Sequence, residues 1–415
     1  MTTAAPSTTD VQRRIVSVLS LTQVIGGIGN GAGIAVGSLL VREVSGSSFW
    51  AGMAVVMLTL GAATFAIPLS SLAARSGRRP ALAVGWASGA SGAAVIVLGA
   101  ELESLLLVLL GLLLFGGSTA ANLQSRFAAV DRAAPHQVGR TLSLVVWSTT
   151  IGAVVGPNLT GPGASVAASV GLSDLAGPMV FSATSFALAA LVTWTLLRPD
   201  PLVHANSSGT EAERPPRQRV RDALPHVHGR VLIAIVTIAT SHAVMVSVMA
   251  LTPVHMEDHG ATLNIIGLTI SLHIAGMFAL SPVMGWASDR WGPDRVALRG
   301  QLILLVAVAV AGTSGESQSR IAVGLTLLGI GWSASVIAGA AMLSTALAVG
   351  DRPVVQGFSD LTMNLAGALG GLLAGAVVSL SGFGTLNAAA AVLTIPVLVL
   401  LVRGLSETRG HDRVA

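Results

Sequence analysis

Apolar runs of about 20 residues recur along the whole of this 415-residue chain. A helix needs about 20 apolar residues to cross the hydrocarbon core of a bilayer, so these runs predict membrane-spanning helices. The composition agrees, because 10% of the residues are charged and the mean hydropathy is +0.77, whereas soluble proteins carry about 25% charge. These features exclude a soluble enzyme. They predict an all-α, multi-pass protein embedded in the lipid bilayer of the cytoplasmic membrane.

Glycine, proline and charged residues divide the apolar sequence into twelve predicted spans. These are residues 15–40, 50–70, 81–100, 104–122, 141–163, 177–197, 231–254, 263–285, 296–314, 320–343, 357–380 and 385–403. The predicted organisation is an N-terminal six-helix half (1–197), a cytoplasmic linker (198–230), a C-terminal six-helix half (231–403) and a cytoplasmic tail (404–415). The linker is polar, basic and rich in proline, so we expect it to be largely disordered.

The arginines predict the orientation of the spans. All 23 basic residues are arginine, and with both termini inside only Arg42 and Arg320 lie outside. Positive residues concentrate in cytoplasmic loops, so this distribution favours cytoplasmic termini. No arginine cluster is interleaved with aromatic residues, which makes nucleic acid an unexpected partner. Cysteine is absent, which excludes disulfides and thiolate metal sites.

The two halves repeat each other at an offset of 215 residues. Gly52 and Gly77 in the first half correspond to Gly267 and Gly292 in the second. An ungapped offset kept over such a stretch indicates a duplicated six-helix unit. Duplicated units of this kind usually enclose a substrate path near the middle of the bilayer.

Over nearly its whole length the chain resembles the major facilitator superfamily of transporters. The superfamily signature, Gly-x-x-x-Asp-Arg-x-Gly, follows spans two and eight. The second copy is intact and comprises Gly285, Asp289, Arg290 and Gly292. In the first copy Ser70 and Ala74 replace the first Gly and the Asp, and the remaining members are Arg75, Gly77 and Arg78. The resemblance implies that these loops gate the conformational change and that the first loop has lost its carboxylate.

Soft metal ligands occur together in spans seven and eight. Only His242 and His273 among the nine histidines lie within predicted spans. Met245 and Met249 are one helical turn apart in span seven, as are His273 and Met277 in span eight. The helical rise places Met245 and His273 at similar depth, with Met249 above them and Met277 below. The short loop makes contact between the two spans easy, so we expect Met249 to approach the span-eight ligands. Thioethers and neutral imidazole suit Cu(I), and no span carries a charge near its middle, so we expect a neutral or cationic cargo.

These two pairs are similar to the paired Met-x-x-x-Met and His-x-x-x-Met motifs of the CcoA-like copper importers, a branch of the superfamily. The resemblance implies that Met245, Met249, His273 and Met277 carry copper into the cell to supply the assembly of a haem-copper oxidase. Copper is then the transported substrate, and no resident cofactor is expected. The sequence does not identify the enzyme or chaperone that receives the metal. Some members of the branch carry riboflavin instead, which leaves an organic cargo open.

The competing hypothesis is a carrier for a neutral or cationic organic compound, either a riboflavin-like importer or a drug efflux antiporter. Methionine pairs often serve packing alone, as we expect for Met53 and Met57 in span two. Span five contains a motif that resembles one found in antiporters and that close helix packing explains as well. Its residues are Gly152, Gly156, Pro157 and Gly161. No Walker motif or nucleophile constellation supports an ATP-driven or enzymatic activity.

Several other side chains are candidates for auxiliary roles. Two lie within or at the ends of the ligand-bearing spans, His242 and Met284, and three lie in the loop between those spans, His255, Met256 and His259. The loop residues are placed to collect a cation on the predicted outer side, although an ordinary solvated loop explains them equally. Asp360, near the start of span eleven, is the only clear carboxylate within a predicted span and hence the only candidate for proton coupling.

Overall fold

A computed structural model describes residues 8–46, 48–202, 220–261 and 263–411. These residues are helical almost throughout and include no β-strand, which confirms the all-α prediction. Residues 203–219, which form the middle of the predicted linker, lie outside the described residues. The expected disorder of the linker and the proposed half boundaries therefore stay predictions.

Every predicted span is covered almost entirely by helix in the structure. Those before the linker are α1 (Thr8–Ser45), α2 (Ser48–Ser76), α3 (Arg78–Glu101), α4 (Leu105–Val130), α5 (Val138–Asn158), α6 (Thr160–Ser169) and α7 (Ala176–Leu196). After the linker come the short α8 (Val220–Ala223), α9 (Gly229–Asp258), α10 (Leu263–Phe278), α11 (Ser281–Trp291), α12 (Pro293–Gly312), α13 (Gln318–Ala346) and α14 (Arg352–His411).

Eleven stretches among the described residues are long and apolar enough to cross a membrane. The last of them, Arg352–Leu405, has 54 residues because two helices join at Gly382, where φ is 84° and the helical geometry is lost. Predicted spans 357–380 and 385–403 lie on either side of this kink. The multi-pass prediction is confirmed, while the count of twelve spans and the cytoplasmic termini stay predictions.

Two predicted spans are interrupted in the structure. Span five is divided between α5 and α6 at Leu159, and span eight is divided between α10 and α11 after Phe278. Each second piece has a proline in its first turn, Pro162 in α6 and Pro282 in α11. Proline has no N–H to donate to the carbonyl four residues earlier, so a new helix begins at each of these points.

The backbone reproduces the 215-residue repeat. Gly77 separates α2 from α3 with φ of 96°, and Gly292 separates α11 from α12 with φ of 88°. Side-chain-bearing residues rarely adopt this region, which explains why both signature copies keep glycine here. The repeated glycines therefore mark equivalent turns in the two halves.

The described residues fall into two compact units. The first unit contains the residues up to Ala134 together with Leu144–Leu224 and Ala348–Leu361. Its core is built around three aromatic rings, in which Phe186 stacks on Trp86 with centroids 5.9 Å apart and meets the edge of Phe115 at 4.9 Å. This unit therefore includes the beginning of α14 along with most of the first half.

The second unit contains Pro135–Ser143, Pro225–Leu347 and the residues from Thr362 onward. Helix α13 organises it, because α9, α10 and α12 each pack extensively against α13. Backbones approach closely where Gly276 of α10 meets Gly329 of α13, since a Cβ atom on Gly329 would collide with the carbonyl oxygen of His273. The predicted ligand-bearing helices are thus seated on a common scaffold.

Candidate transport site

His273 lies on α10 with its side chain fully buried. Its Nδ1 atom is 2.8 Å from the carbonyl oxygen of Leu325 on α13. A carbonyl oxygen only accepts hydrogen bonds, so Nδ1 carries the proton and donates it. In the neutral ring Nε2 is then unprotonated, and it is buried with no hydrogen-bond partner among the described residues. Metal-ligating imidazoles usually have this arrangement, with one nitrogen anchored to the protein and the other available.

We call the four predicted ligands Met245, Met249, His273 and Met277 the Met/His ladder. Its three methionines belong to one cluster of packed apolar side chains in the second unit. Met245 and Met277 are 5% and 9% exposed, and the half-buried Met249 packs against the same cluster. His273 lies one turn before Met277 on α10. A thioether needs no hydrogen bond, so its burial here agrees with a packing role as well as with soft-metal binding.

Direct packing between spans seven and eight, which their short connection predicts, is limited. Helices α9 and α10 touch little, and each packs against α13 instead. The close approach at Gly276 and Gly329 explains this arrangement, because it seats α10 on α13. An approach of Met249 to His273 and Met277 stays a prediction.

His242 on α9 presents the opposite tautomer to His273. The indole Nε1 of Trp332 is 3.2 Å from its Nδ1, and an indole N–H can only donate. Nδ1 is therefore the acceptor, and the proton of the neutral ring is on Nε2. Trp332 also meets the edge of Phe278 on α10, with ring centroids 5.9 Å apart. In this state His242 offers no unoccupied lone pair to a metal, which argues against its predicted auxiliary role.

Among the other auxiliary candidates, Met256 is fully buried in the apolar cluster and Met284 is half-buried on α11. His255 and His259 have adjacent rings at the end of α9, with centroids 4.3 Å apart. Burial lowers the pKa of His255 and the neighbouring His259 lowers it further, while the Gly315 carbonyl partly opposes both. Helix α9 extends through Asp258, so the first of these histidines lies in a helix and not in a solvated loop.

The intact signature copy contacts the start of α5 within the second unit. The Asp289 carboxylate accepts the backbone N–H groups of Gly139 and Arg140 at 2.7 and 2.8 Å. The first N–H groups of a helix lack partners, and the helix dipole favours negative charge there. Gly285 packs against Ser143 of α5 without space for a side chain. The arginine of the signature is exposed in both copies, as Arg75 in the first and Arg290 in the second.

The first signature copy, in which Ser70 replaces the first glycine, makes the same kind of contact with glycine and serine exchanged between the two helices. Ser70 of α2 packs against Gly357 of α14, where a Cβ on the glycine would collide with the serine side chain. The serine at the signature position is therefore compensated by a glycine on the partner helix. The sequence alone does not reveal this compensation, because Ser70 and Gly357 lie in different halves.

Arg78 of the first signature copy is buried, and its Nε and Nη2 atoms are paired. Its Nε is 2.7 Å from the Asp131 carboxylate, and its Nη2 is 2.6 Å from the side-chain oxygen of Gln356. Asp200, just after α7, accepts the backbone N–H groups of Arg78 and Arg79 at 3.1 and 2.8 Å. Asp200 thus caps α3. No motif or spacing identified these three partners in advance.

The structure also contains a buried ion pair that the sequence pattern did not indicate. Predicted span four ends at residue 122, but α4 continues to Val130 and includes Arg126. Arg126 Nη2 is 2.7 Å from an oxygen of Asp360, and the two side chains are 3% and 2% exposed. The charges neutralise each other, which makes their burial tolerable. The sole sequence candidate for proton coupling is therefore held by an arginine.

Only part of the antiporter-like motif of span five lies at a close helix contact. A Cβ on Gly152 would collide with the backbone of α1 at Gly27, and one on Gly156 would crowd the backbone of α1 one turn later. Gly161 lies beyond the break in α6 and faces open space, and Pro157 occupies the last turn of α5. Close helix packing explains the first two glycines but gives Gly161 no such role.

No group of three or more His, Asp or Glu side chains suited to a metal ion occurs in the part of the chain that the structure describes. The predicted ladder belongs to another class, because three of its four donors are thioethers. Any soft-metal binding by the predicted ladder would depend on His273 and on the three methionines, which lie in one apolar cluster.

Comparison with known proteins establishes the class of molecule. The Major Facilitator Superfamily profile matches residues 18–261 and again 233–413. The uncharacterised MFS-type transporter YdeG of Bacillus subtilis is 35% identical over 393 residues, covering 94% of this chain and 91% of YdeG. The riboflavin transporter RfnT of Brucella anthropi is 28% identical over 397 residues and 94% of each chain. The structure of the proton:xylose symporter XylE is similar in fold, with a TM-score of 0.76, 13% identity and 96% of each chain covered.

Proposed function

Because the chain belongs to the Major Facilitator Superfamily and is a membrane-embedded secondary transporter, we propose that its cargo is copper, taken up as Cu(I). The proposed ligands are Met245, Met249, His273 and Met277. Uptake, as opposed to export, follows the resemblance to the CcoA-like importers. Alternating access would move the ion between the two sides of the cytoplasmic membrane.

The observation that carries this proposal is the state of His273. Its Nδ1 is anchored on the Leu325 carbonyl, and its Nε2 is buried without a partner among the described residues. An unsatisfied buried polar atom costs about 1–3 kcal/mol, so a ligand that binds Nε2 would remove a real penalty. A cation that accepts a lone pair from Nε2 supplies such a ligand.

The thioethers favour a soft cation over a hard one. Met245, Met249 and Met277 offer neutral sulfur donors in the same cluster, and soft sulfur ligands select Cu(I). Mg²⁺ and Ca²⁺ bind oxygen ligands, which this ladder does not provide. Thioethers bind copper without losing a proton and more weakly than thiolates do, which suits a carrier that must release its cargo.

A riboflavin-like organic solute is the second candidate. The similarity to RfnT over 94% of the chain favours it. On this hypothesis the methionines line an apolar surface, and the unprotonated Nε2 of His273 accepts a hydrogen bond from the cargo. The two candidates make opposite predictions for labelled substrates.

The test compares uptake of radiolabelled copper and of radiolabelled riboflavin by cells that express the parent protein or carry the empty vector. We expect copper accumulation above the vector background and no added riboflavin uptake. Riboflavin uptake together with background copper uptake would transfer the assignment to the organic solute.

A substitution series separates ligands from packing residues. Leucine preserves the approximate volume of methionine, so at a packing position it should cost under about 1.5 kcal/mol. We expect Met249→Leu and Met277→Leu to reduce copper accumulation to background at normal expression. The matched controls are Met53→Leu, half-buried like Met249, and Met179→Leu, buried like Met277, and both should retain uptake. Parent-level uptake in the ladder variants would contradict the proposal.

A further inference from the structure

His255 and His259 lie one helical turn apart at the C-terminal end of α9, and the local backbone holds this end in place. The N–H groups of His259 and Ala261 both bond to the Met256 carbonyl, at 3.2 and 2.9 Å. Gly260 closes the turn with φ of 75°, a conformation that favours glycine. The two histidines therefore project from the same side of a helix end of fixed geometry.

The rings are held in a defined arrangement. Their centroids are 4.3 Å apart, and the His255 ring stacks on Phe383 with centroids 4.3 Å apart and planes inclined by 11°. His259 Nδ1 is 2.7 Å from the His255 carbonyl oxygen, so Nδ1 donates and Nε2 of the neutral ring retains its lone pair. His255 Nε2 is buried and makes no hydrogen bond among the described residues.

We propose that His255 and His259 form a two-imidazole capture site for Cu(I) at the predicted outer end of span seven, before the Met/His ladder. Two histidines four residues apart on one helix face bind metal ions in many proteins. The C-terminal end of a helix carries partial negative charge, which attracts a cation. Cu(I) accepts two ligands, and the Nε2 atoms supply two. The inference rests on the proposed function, since it takes copper as the cargo.

Packing explains the positions of the two histidine rings but not the unpartnered nitrogen of His255. Stacking on Phe383 accounts for the position of the His255 ring, and the backbone hydrogen bond accounts for that of His259. The Gly315 carbonyl also accepts from the His255 ring. Nε2 is buried with no partner among the described residues, so the Gly315 contact belongs to Nδ1, and a bound cation would satisfy Nε2.

The binding test uses the purified full-length protein in detergent under anaerobic conditions, with Cu(I) titrated against a chromophoric chelator. We expect the parent to bind one more Cu(I) than H255Q/H259Q. The single variant H259Q changes an exposed residue, and it should lose the same ion without loss of folded protein. The control H136Q changes an exposed histidine in the connection before α5, and it should bind as the parent does. Equal copper binding by parent and H259Q would overturn the inference.

A second arm distinguishes failure of this inference from failure of the proposed function. In the M245L/M249L/H273N/M277L background all four ladder ligands are removed, and we expect one Cu(I) to remain, with nitrogen-only ligation in its X-ray absorption spectrum. Sulfur ligation of that remaining ion, or its absence, would overturn the capture site whatever the ladder variants show in uptake.

Transport kinetics provide the functional readout. We expect H259Q to raise the KM for copper uptake at least threefold and to leave the maximal rate unchanged, because capture precedes translocation. A merely structural role would lower the maximal rate through loss of folded protein, with KM unchanged. That result would also overturn the capture site.

Discussion

The two nitrogens of His273 have different roles, and this difference allows the site to be tested without disturbing the fold. Nδ1 joins α10 to α13 through the Leu325 carbonyl, while Nε2 is the proposed ligand atom. Asparagine places an amide N–H near the position of Nδ1 but has nothing at the position of Nε2. A substitution can therefore keep the helix contact and delete the donor.

We predict that His273→Asn folds with a melting temperature close to that of the parent and accumulates no copper. His273→Gln should be equally inactive, because an amide is a poor ligand for Cu(I). Melting in detergent and uptake of labelled copper are the two measurements. Parent-level uptake by His273→Asn would show that Nε2 is not a ligand.

The buried Arg126–Asp360 ion pair affects the stability of the folded protein. Removing one partner leaves a buried charge uncompensated, which typically costs about 3–5 kcal/mol, whereas replacing both by apolar residues is often neutral. We therefore predict that Asp360→Asn and Arg126→Met each lower the melting temperature clearly, and that Arg126→Met/Asp360→Leu recovers most of the loss. A double variant as unstable as the worse single variant would contradict this account.

At the residue scale, the sequence predicted only relations between residues that lie close together along the chain. The Met and His pairs recur at helical spacing, and the structure places the three methionines in one cluster. The partner of Arg126 lies 234 residues away, and the partner of Ser70 lies in the other half. No spacing rule connects such positions without the three-dimensional structure.

Among the elements, α13 determines how the candidate site is held. It contacts α9 and α10, which touch each other little, and it anchors His273 through Leu325. The close approach at Gly329 leaves no space for a side chain next to the His273 backbone. The position of His273 in the candidate site therefore depends on Gly329, although Gly329 has no side chain that could bind a ligand.

We predict that Gly329→Ala lowers copper uptake, because the added methyl group pushes α10 away from α13 and disturbs the His273–Leu325 hydrogen bond. Gly375→Ala on α14 is the matched control, since a Cβ there meets open space. Uptake of labelled copper at equal expression distinguishes the two variants. Equal uptake by both variants would mean that the close approach does not position His273.

Span boundaries were predictable from hydropathy, but the path of each helix was not. Pro162 and Pro282 restart helices inside two predicted spans, and an average over about 20 residues does not detect one missing N–H. Helix α4 overruns its predicted end because Arg126 is neutralised by Asp360 and so remains buried. Hydropathy counts that arginine as a boundary.

At the scale of the whole molecule, the duplication explains features that appear once in each half. The 215-residue offset relates Gly77 to Gly292, and both have positive φ. It also relates Pro135–Ser143, which belongs to the second unit, to part of Ala348–Leu361, which belongs to the first. Each unit thus includes the beginning of a span from the opposite half. The Gly285–Ser143 and Ser70–Gly357 contacts match this offset to within one residue, with glycine and serine exchanged.

This equivalence leads to a prediction about the two signature copies. A serine at position 357 would collide with Ser70, so Gly357→Ser alone should lower the melting temperature and copper uptake. Adding Ser70→Gly creates the arrangement that Gly285 and Ser143 already have, and the double variant should recover both properties. Ser70→Gly alone is the control and should stay close to the parent, because it only removes a small side chain. If the double variant were as damaged as Gly357→Ser, the two contacts would not be equivalent, and the first signature copy would need another explanation for its serine.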